Sequence, residues 1–143
     1  MYLCGVNERR DIIVSDTLTG IGKGEVAGYL CHANICDHAD ELGLKRDGYS
    51  LWGGSAGARM AATLGNSANL YSLTGRTDLP QASAVIMQYT GYTTVSQYDG
   101  PTYACCGTSD GIASWRTMQS RLESLSVLGI PTEFHSYNGL PKR

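Results

Sequence analysis

The chain has 143 residues, a common size for a single domain, and its 42% hydrophobic and 17% charged residues exclude intrinsic disorder. Eleven Lys and Arg against thirteen Asp and Glu give a net charge of −2, and without a basic stripe we expect no nucleic-acid partner. No apolar run has transmembrane length and no signal peptide is visible, so we expect a cytoplasmic protein with no membrane partner. The five cysteines lack framework spacing and predict free thiols in a reducing compartment.

The first 48 residues predict less regular structure than the rest. Residues 12–14 fit a short strand, and Gly20, Gly22 and Gly24 predict a loop. Residues 25–42 predict a helix that ends at Gly43. The apolar side of that helix consists of Val26, Tyr29, Leu30, Ala33 and Cys36.

From Tyr49 onward, apolar strands alternate with amphipathic helices. The predicted elements are a strand at 49–52, a helix at 56–64, a loop at 66–81, strands at 82–89 and 102–106, a helix from the N-cap Ser114 to Leu128, and a strand at 130–137. The near-continuous apolar run at 84–87 is typical of a strand buried on both faces. This order predicts an α/β fold with a mostly parallel sheet and flanking helices.

The motif that carries chemistry is Gly53-Gly54-Ser55-Ala56-Gly57, which satisfies G-x-S-x-G between a predicted strand and a predicted helix. A sharp strand-to-helix turn lifts the serine hydroxyl clear of the sheet, where a base can reach it. The turn crowds the positions two before and two after the serine, so we expect glycine to be needed at 53 and 57. It also directs the Ala56 N–H, at a helix N-terminus, toward a developing oxyanion.

Residues 51–62 resemble the nucleophile elbow of α/β-hydrolases, and are most similar to the acetyl esterase/lipase branch, also called hormone-sensitive-lipase-like or carbohydrate-esterase-like. Residues 38–43 resemble the end of the helix before that elbow. Residues 107–112 resemble the loop with the acidic triad member, and 129–137 resemble the strand before the catalytic histidine. The resemblance covers about residues 38–143 and leaves residues 1–37 poorly matched. It implies a single, partial domain over 1–143, apparently truncated, that corresponds to the C-terminal half of the fold.

The resemblance implies a carboxylic-ester hydrolase in which Ser55 is the nucleophile, Asp110 orients the base and the Ala56 N–H belongs to the oxyanion hole. It implies a small-molecule ester as substrate, an acetylated carbohydrate being one candidate, with no cofactor and no metal. From the residues alone, the favoured interpretation of Asp110 is a turn aspartate that caps the following helix, and the resemblance reverses that preference.

The sequence departs from the family pattern at the position where the catalytic histidine is expected, which Lys142 occupies. A lysine is cationic at neutral pH and has no lone pair to accept the serine proton. His135 lies within a strand, and His32 and His38 precede the nucleophile. The His-Gly-Gly type of oxyanion loop is absent from residues 1–48. We therefore expect little or no esterase activity from these 143 residues.

Three other interpretations follow from the sequence. Residues 22–27 match G-x-G-x-x-A, which would indicate a nucleotide-binding α/β domain, although a flexible loop fits better. A cluster of Cys31, His32, Cys36 and His38 suggests zinc, but ordinary helix cysteines explain it better. The third is a non-catalytic hydrolase fragment or scaffold, whose incomplete sheet would expose an apolar edge and lead to a homodimer or to aggregation.

Overall fold

The computed structural model describes residues 3–6, 12–15 and 21–141, with side chains from residue 28 onward. Its elements are β1 (Leu3–Val6), β2 (Ile12–Ser15), α1 (Ile21–Asp37), β3 (Ser50–Gly54), α2 (Ala56–Leu64), α3 (Ser67–Thr74), β4 (Ala84–Gln88), β5 (Thr102–Gly107), α4 (Trp115–Val127) and β6 (Thr132–Tyr137). No helix in this part of the chain is long and apolar enough to cross a membrane.

The six strands form one sheet in the order β1-β2-β3-β4-β5-β6. Strands β2 to β6 are parallel, and β1 pairs antiparallel with β2. The chain therefore has the α/β architecture with a mostly parallel sheet that the order of elements predicts. Strand β3 lies in the interior of this sheet. The residue that follows it therefore lies near the middle of the row formed by the C-terminal ends of the parallel strands.

The core lies between the sheet and one layer of helices. The side chains of Leu51, Val85 and Ala104 point into it and are almost fully buried. Helix α2 packs on β3 and β4, α4 packs on β5 and β6, and α1 and α3 pack on α2. The alternate residues of β4 are only partly buried. The expectation of a strand buried on both faces is therefore wrong for β4, because the helices described cover one face of the sheet.

The predicted loop at 66–81 contains a helix, α3. Asn66 caps it by accepting a hydrogen bond from the Asn69 N–H at 3.1 Å, and Gly75 ends it with φ +67°. Leu70 is the buried residue of this helix. Because an eight-residue helix with one buried side chain has no apolar periodicity, only its two caps mark it in the sequence.

The N-terminal predictions need correction at both ends of α1. Gly22 and Gly24 lie inside the helix rather than in a loop, and the helix ends at Asp37, five residues before its predicted end. A turn over 38–43 follows, with Gly43 at φ +65°. Leu30, expected on the apolar side, is exposed. Residue 20, the first glycine of the predicted loop, lies outside the described residues.

Among the cysteines whose side chains the structure describes, one is oxidised and three are reduced. Cys31 is disulfide-bonded, so the prediction that all the thiols are free is wrong at this position. Cys36, Cys105 and Cys106 are free. Burial raises the pKa of each of these three thiols, which keeps them protonated at neutral pH.

Candidate active site

Ser55 occupies a sharp turn between β3 and α2. Its backbone has φ 55° and ψ −118°, a conformation that residues with a side chain rarely adopt. Its N–H donates a hydrogen bond to the Gln88 carbonyl oxygen at 2.9 Å, which ties the turn to the end of β4. The next residue, Ala56, begins α2 and is exposed, so its N–H lies in the free first turn of the helix.

The glycines around Ser55 have different roles. A Cβ on Gly53 would overlap the Gly57 carbonyl group, so only glycine fits at position 53. At Gly57 itself, a Cβ would meet no neighbouring atom within 4 Å. The expectation that both positions are crowded is therefore correct for Gly53 and wrong for Gly57, because it is the Gly57 backbone that approaches Gly53. A Cβ on Gly54 would lie 2.5 Å from the Tyr89 hydroxyl oxygen.

A cavity of about 420 Å³ opens beside Ser55. Six of its lining side chains carry a hydroxyl group, and none is acidic. Tyr89, at the end of β4, is the second non-glycine residue with positive φ among those described, at 39°. The residues that line the cavity are Ser55, Ala56, Arg59, the segment 89–94, Ile112 and Ala113.

Asp110 lies in the loop between β5 and α4. One carboxylate oxygen accepts hydrogen bonds from the N–H groups of Ile112 and Ala113, both at 2.8 Å. The other lies 3.9 Å from the Cys106 sulfur. Asp110 therefore closes a turn, as its local sequence alone indicates, and the two residues that it holds line the cavity beside Ser55.

The chain that follows β6 returns to this same loop. The Thr108 N–H donates to the Tyr137 carbonyl at 2.9 Å, and the Gly139 N–H donates to the Thr108 hydroxyl at 3.0 Å. A Cβ on Gly107 would overlap the Leu140 carbonyl. Residues 138–141 are therefore brought against the loop that carries Asp110. Lys142, which stands where the family pattern has histidine, lies outside the described residues.

The three histidines of the sequence lie away from Ser55. The strand register places His135 beside Cys105, Cys105 beside Gln88, and Gln88 beside Gly54. Three strand spacings separate His135 from β3, about 14 Å at about 4.8 Å each. The His135 ring instead contacts the Glu133 carboxylate at 2.6 Å.

His32 and His38 belong to α1 and the turn after it. His32 is buried against the Tyr49 ring, at 4.8 Å between centroids, and its Nε2 lies 3.5 Å from the Cys36 sulfur. Burial, helped by the charges of Arg76 and Arg46, lowers the pKa of His32 to about 4, so the ring is neutral at pH 7. His38 contacts the Asn34 carbonyl at 2.8 Å on the surface. Where side chains are described, no three His, Cys, Asp or Glu residues are placed to hold a metal ion.

A buried ion pair supports the wall of the cavity. The Arg121 guanidinium lies 3.1 Å from the Asp99 carboxylate, and their side chains are 2% and 7% exposed. Arg121 also donates to the Thr94 carbonyl at 2.9 Å and lies 5.3 Å from the Tyr92 ring centre. The sequence carries one sign of this role, since Arg121 stands among Met118, Leu122 and Leu125 on the apolar side of α4.

Comparisons with known proteins find similarity in structure but not in sequence. Neither a protein-family model nor a curated protein matches the sequence. MGS-M1, an alpha/beta hydrolase enzyme from a Medee basin deep-sea metagenome library, superposes with a TM-score of 0.71 at 19% identity, over 92% of this chain and 55% of that one. Propionate-bound esterase Est2 of Thermogutta terrifontis gives 0.72 at 18% identity, over 86% and 56%. The same esterase phosphorylated by paraoxon gives 0.71 at 19%, over 85% and 54%.

These neighbours, the parallel sheet and the turn at Ser55 lead to one conclusion about the fold. At this level of identity the likeness concerns architecture, and it extends over most of this chain but only about 55% of each matched enzyme. The chain has the α/β-hydrolase fold, in a form that spans a little over half the length of the esterases and hydrolases it resembles.

Proposed function

We propose that this chain carries the nucleophile of a carboxylic-ester hydrolase and that Ser55 is that nucleophile. The observation that carries the proposal is the backbone of Ser55, which has a positive φ between β3 and the N-terminus of α2. Such strain persists where surrounding structure enforces it, and it is typical of functional sites. The turn opens onto a cavity large enough for a small ester.

Each neighbouring group has a defined part in the proposed reaction. The Ser55 oxygen attacks the ester carbonyl carbon, and the carbonyl electron pair moves onto the oxygen, which the Ala56 N–H stabilises. The intermediate collapses to an acyl-serine and an alcohol. A histidine base carries the proton from serine to the alcohol, and Asp110 orients that base. Water then releases the acid by the same steps.

The cavity favours small esters with polar alcohol groups. Its hydroxyl-bearing side chains, which include Tyr89, Thr90 and Thr93, both donate and accept hydrogen bonds. A lining of this kind suits the hydroxyl groups of a sugar, so an acetylated carbohydrate is the substrate we propose. The matched Est2 structures include propionate-bound and butyrate-bound forms of that esterase.

The 143 residues lack a histidine within reach of Ser55, so we expect turnover of p-nitrophenyl acetate close to that of a Ser55→Ala control. Replacement of Lys142 by histidine supplies an imidazole where the family pattern has its base. General base catalysis contributes on the order of 10²-fold or more, so we expect a gain of about that size in Lys142→His. A Ser55→Ala, Lys142→His double variant should abolish the gain.

Lys45→His is the matched control, because it makes the same change at an exposed loop position away from Ser55. It should leave turnover unchanged. An equal gain in both variants would indicate catalysis by surface imidazole and would refute the role of Ser55. Strong turnover by the unmodified chain that disappears in Ser55→Ala would refute the expected inactivity and leave Ser55 as the nucleophile.

The positions of the three histidines also support a second candidate, a non-catalytic scaffold with a hydrolase fold. Absence of any gain in Lys142→His, with the fold intact by circular dichroism, would favour that candidate. A nucleotide site at residues 22–27 is supported less well, since Gly22 and Gly24 lie within α1 rather than in a loop that leads into it.

A further inference from the structure

A second cavity, of about 340 Å³, adjoins the cavity beside Ser55. Thr93 lines both, so the two lie on either side of one threonine side chain. Their other walls also follow one another along the chain, because the turn at 112–113 borders the cavity beside Ser55 and helix α4 borders the second. The two cavities therefore succeed one another where the segment 89–94 meets the chain from residue 112 onward. The second cavity is lined by Thr93, Arg116, Thr117, Ser120, Arg121 and Ser124.

The lining of the second cavity is polar throughout. Four of its six side chains carry a hydroxyl group, the other two are arginines, and none is acidic. Thr117, Ser120 and Ser124 are three and four residues apart on α4, a spacing that places them on one face of the helix. Glu123, the acidic residue of α4, instead accepts a hydrogen bond from the Gln119 amide at 2.9 Å. Packing of further polypeptide on a surface relies on apolar contacts, which this lining lacks, whereas hydroxyl groups both donate to and accept from a sugar.

The two arginines of the second cavity differ in how their charge is balanced. Arg121 is buried, and its guanidinium lies 3.1 Å from the Asp99 carboxylate. Arg116 is exposed, and its guanidinium lies over the Trp115 ring, 4.4 Å from the ring centre. Among the residues that the structure describes, no carboxylate lies within ion-pair distance of Arg116. The charge of Arg116 is therefore available to an anionic group in this cavity.

We propose that the second cavity binds an acidic sugar unit, which is joined to the acetylated unit in the cavity beside Ser55. The hydroxyl-bearing side chains bind the ring hydroxyl groups. The Arg116 guanidinium binds the anionic group, to which its planar fork donates two parallel hydrogen bonds. This proposal rests on the function proposed for Ser55, because it takes the neighbouring cavity as the place where the ester is cleaved. The substrate class then narrows from an acetylated carbohydrate to an acetylated acidic oligosaccharide.

Glucuronic acid and glucose are matched probes, because they differ only in whether the terminal carbon is a carboxylate or a hydroxymethyl group. The ratio of their dissociation constants therefore isolates the effect of the charge. In NMR titrations of the 143-residue chain, we expect glucuronic acid to bind about five-fold more tightly than glucose. The amide signals of Thr93, Thr117 and Ser120 should move most. Equal binding of the two sugars, or signal changes confined to residues outside the second cavity, would overturn the proposal.

Arg116→Gln removes the charge that the proposal invokes, so the ratio of the two dissociation constants should fall to about one. Arg46→Gln is the matched control, because Arg46 is also exposed but lies before β3 and pairs with Asp78 at 3.0 Å. It should keep the preference of the unmodified chain. Loss of the preference in both variants would indicate an effect of overall charge and would refute the role of Arg116.

Salt dependence in the unmodified chain covers the case in which Arg116→Gln fails to fold. Added sodium chloride screens an exposed charge, so the preference for glucuronic acid should decrease as the salt concentration rises. A preference that does not depend on salt would contradict the proposal. Glucose with a phosphate on the same carbon distinguishes the two anionic groups that arginine binds in this way, and its tighter binding would assign a phosphate-bearing acidic sugar to the cavity.

These titrations require no turnover, so their outcome is independent of the chemistry at Ser55. A chain that is acetylated on Ser55 but binds glucuronic acid and glucose equally would refute the acidic sugar site and leave the function proposed for Ser55 intact. A preference for glucuronic acid in a chain that no ester acetylates on Ser55 would refute that function and retain the second cavity as a site for acidic sugars.

Discussion

At the scale of single residues, the backbone of Ser55 adopts an unfavourable conformation that the neighbouring residues hold in place. Positive φ at a residue with a side chain costs on the order of 1–3 kcal/mol. The hydrogen bond from its N–H to Gln88 and the close packing of Gly53 against the Gly57 carbonyl hold the turn in place. The position of Ser55 follows from the sequence. The different roles of Gly53 and Gly57 do not, because they depend on which backbone approaches which.

The two glycines give a matched pair of substitutions. Gly53→Ala places a methyl group on the Gly57 carbonyl, so we expect a loss of about 2–3 kcal/mol in the free energy of unfolding. Gly57→Ala puts a methyl group in open space within a helix, so we expect no loss and a gain of up to about 1 kcal/mol. Urea denaturation of both variants measures the difference. Equal effects would show that the turn is not packed as described.

His32 links stability to pH. Its pKa is lowered to about 4 in the folded chain from an ordinary 6.5, so the unfolded chain binds a proton first as the pH falls. The contribution of neutral His32 to the free energy of unfolding is fully present above about pH 6.5. It is lost as the pH falls from there to about 4. We expect wild type to lose about 2–3 kcal/mol more than His32→Gln between pH 7 and pH 4.5. Parallel losses in urea denaturation at the two pH values would contradict this assignment.

At the scale of elements, the sequence predicts most of what surrounds the site. Strands β3 to β6 and helices α2 and α4 lie where apolar periodicity and glycine stops place them. Helix α3 is not predicted, because a helix with one buried leucine shows no apolar periodicity in its sequence. The partial exposure of one side of β4 is not predicted either, for a different reason. Ile86 is as apolar as a core residue, and the sequence does not reveal whether a helix covers it.

The segment between β4 and β5 has no regular structure, and Arg121 anchors it. Replacing Arg121 by Met leaves the Asp99 carboxylate buried without its ion-pair partner, so we expect a loss of about 3 kcal/mol. The wall at 89–94 should then become sensitive to limited proteolysis. Arg116→Met, an exposed arginine of the same helix stacked on Trp115, should cost under about 0.5 kcal/mol. Similar losses in the two variants would rule out the anchoring role.

At the scale of the whole molecule, the chain spans about 55% of the length of the enzymes whose fold it shares. One face of its sheet carries exposed aromatic side chains, Trp52 and Tyr137. The turn at Ser55 and the loop at Asp110 both lie within this chain, and residues 138–141 lead back to that loop. The reaction that we propose at Ser55 also needs a histidine base, whereas Lys142 stands where the resemblance predicts one.

The role of Ser55 as nucleophile is tested by locating the acyl group on the protein. The Lys142→His chain is mixed with p-nitrophenyl acetate, quenched in acid and mapped by peptide mass spectrometry. We expect acetyl on Ser55 and none at this position in the Ser55→Ala form. Ser114, a serine that also precedes a helix but has an ordinary φ of −66°, should stay unmodified. Acetyl distributed over lysines and Ser114, with none on Ser55, would contradict that role.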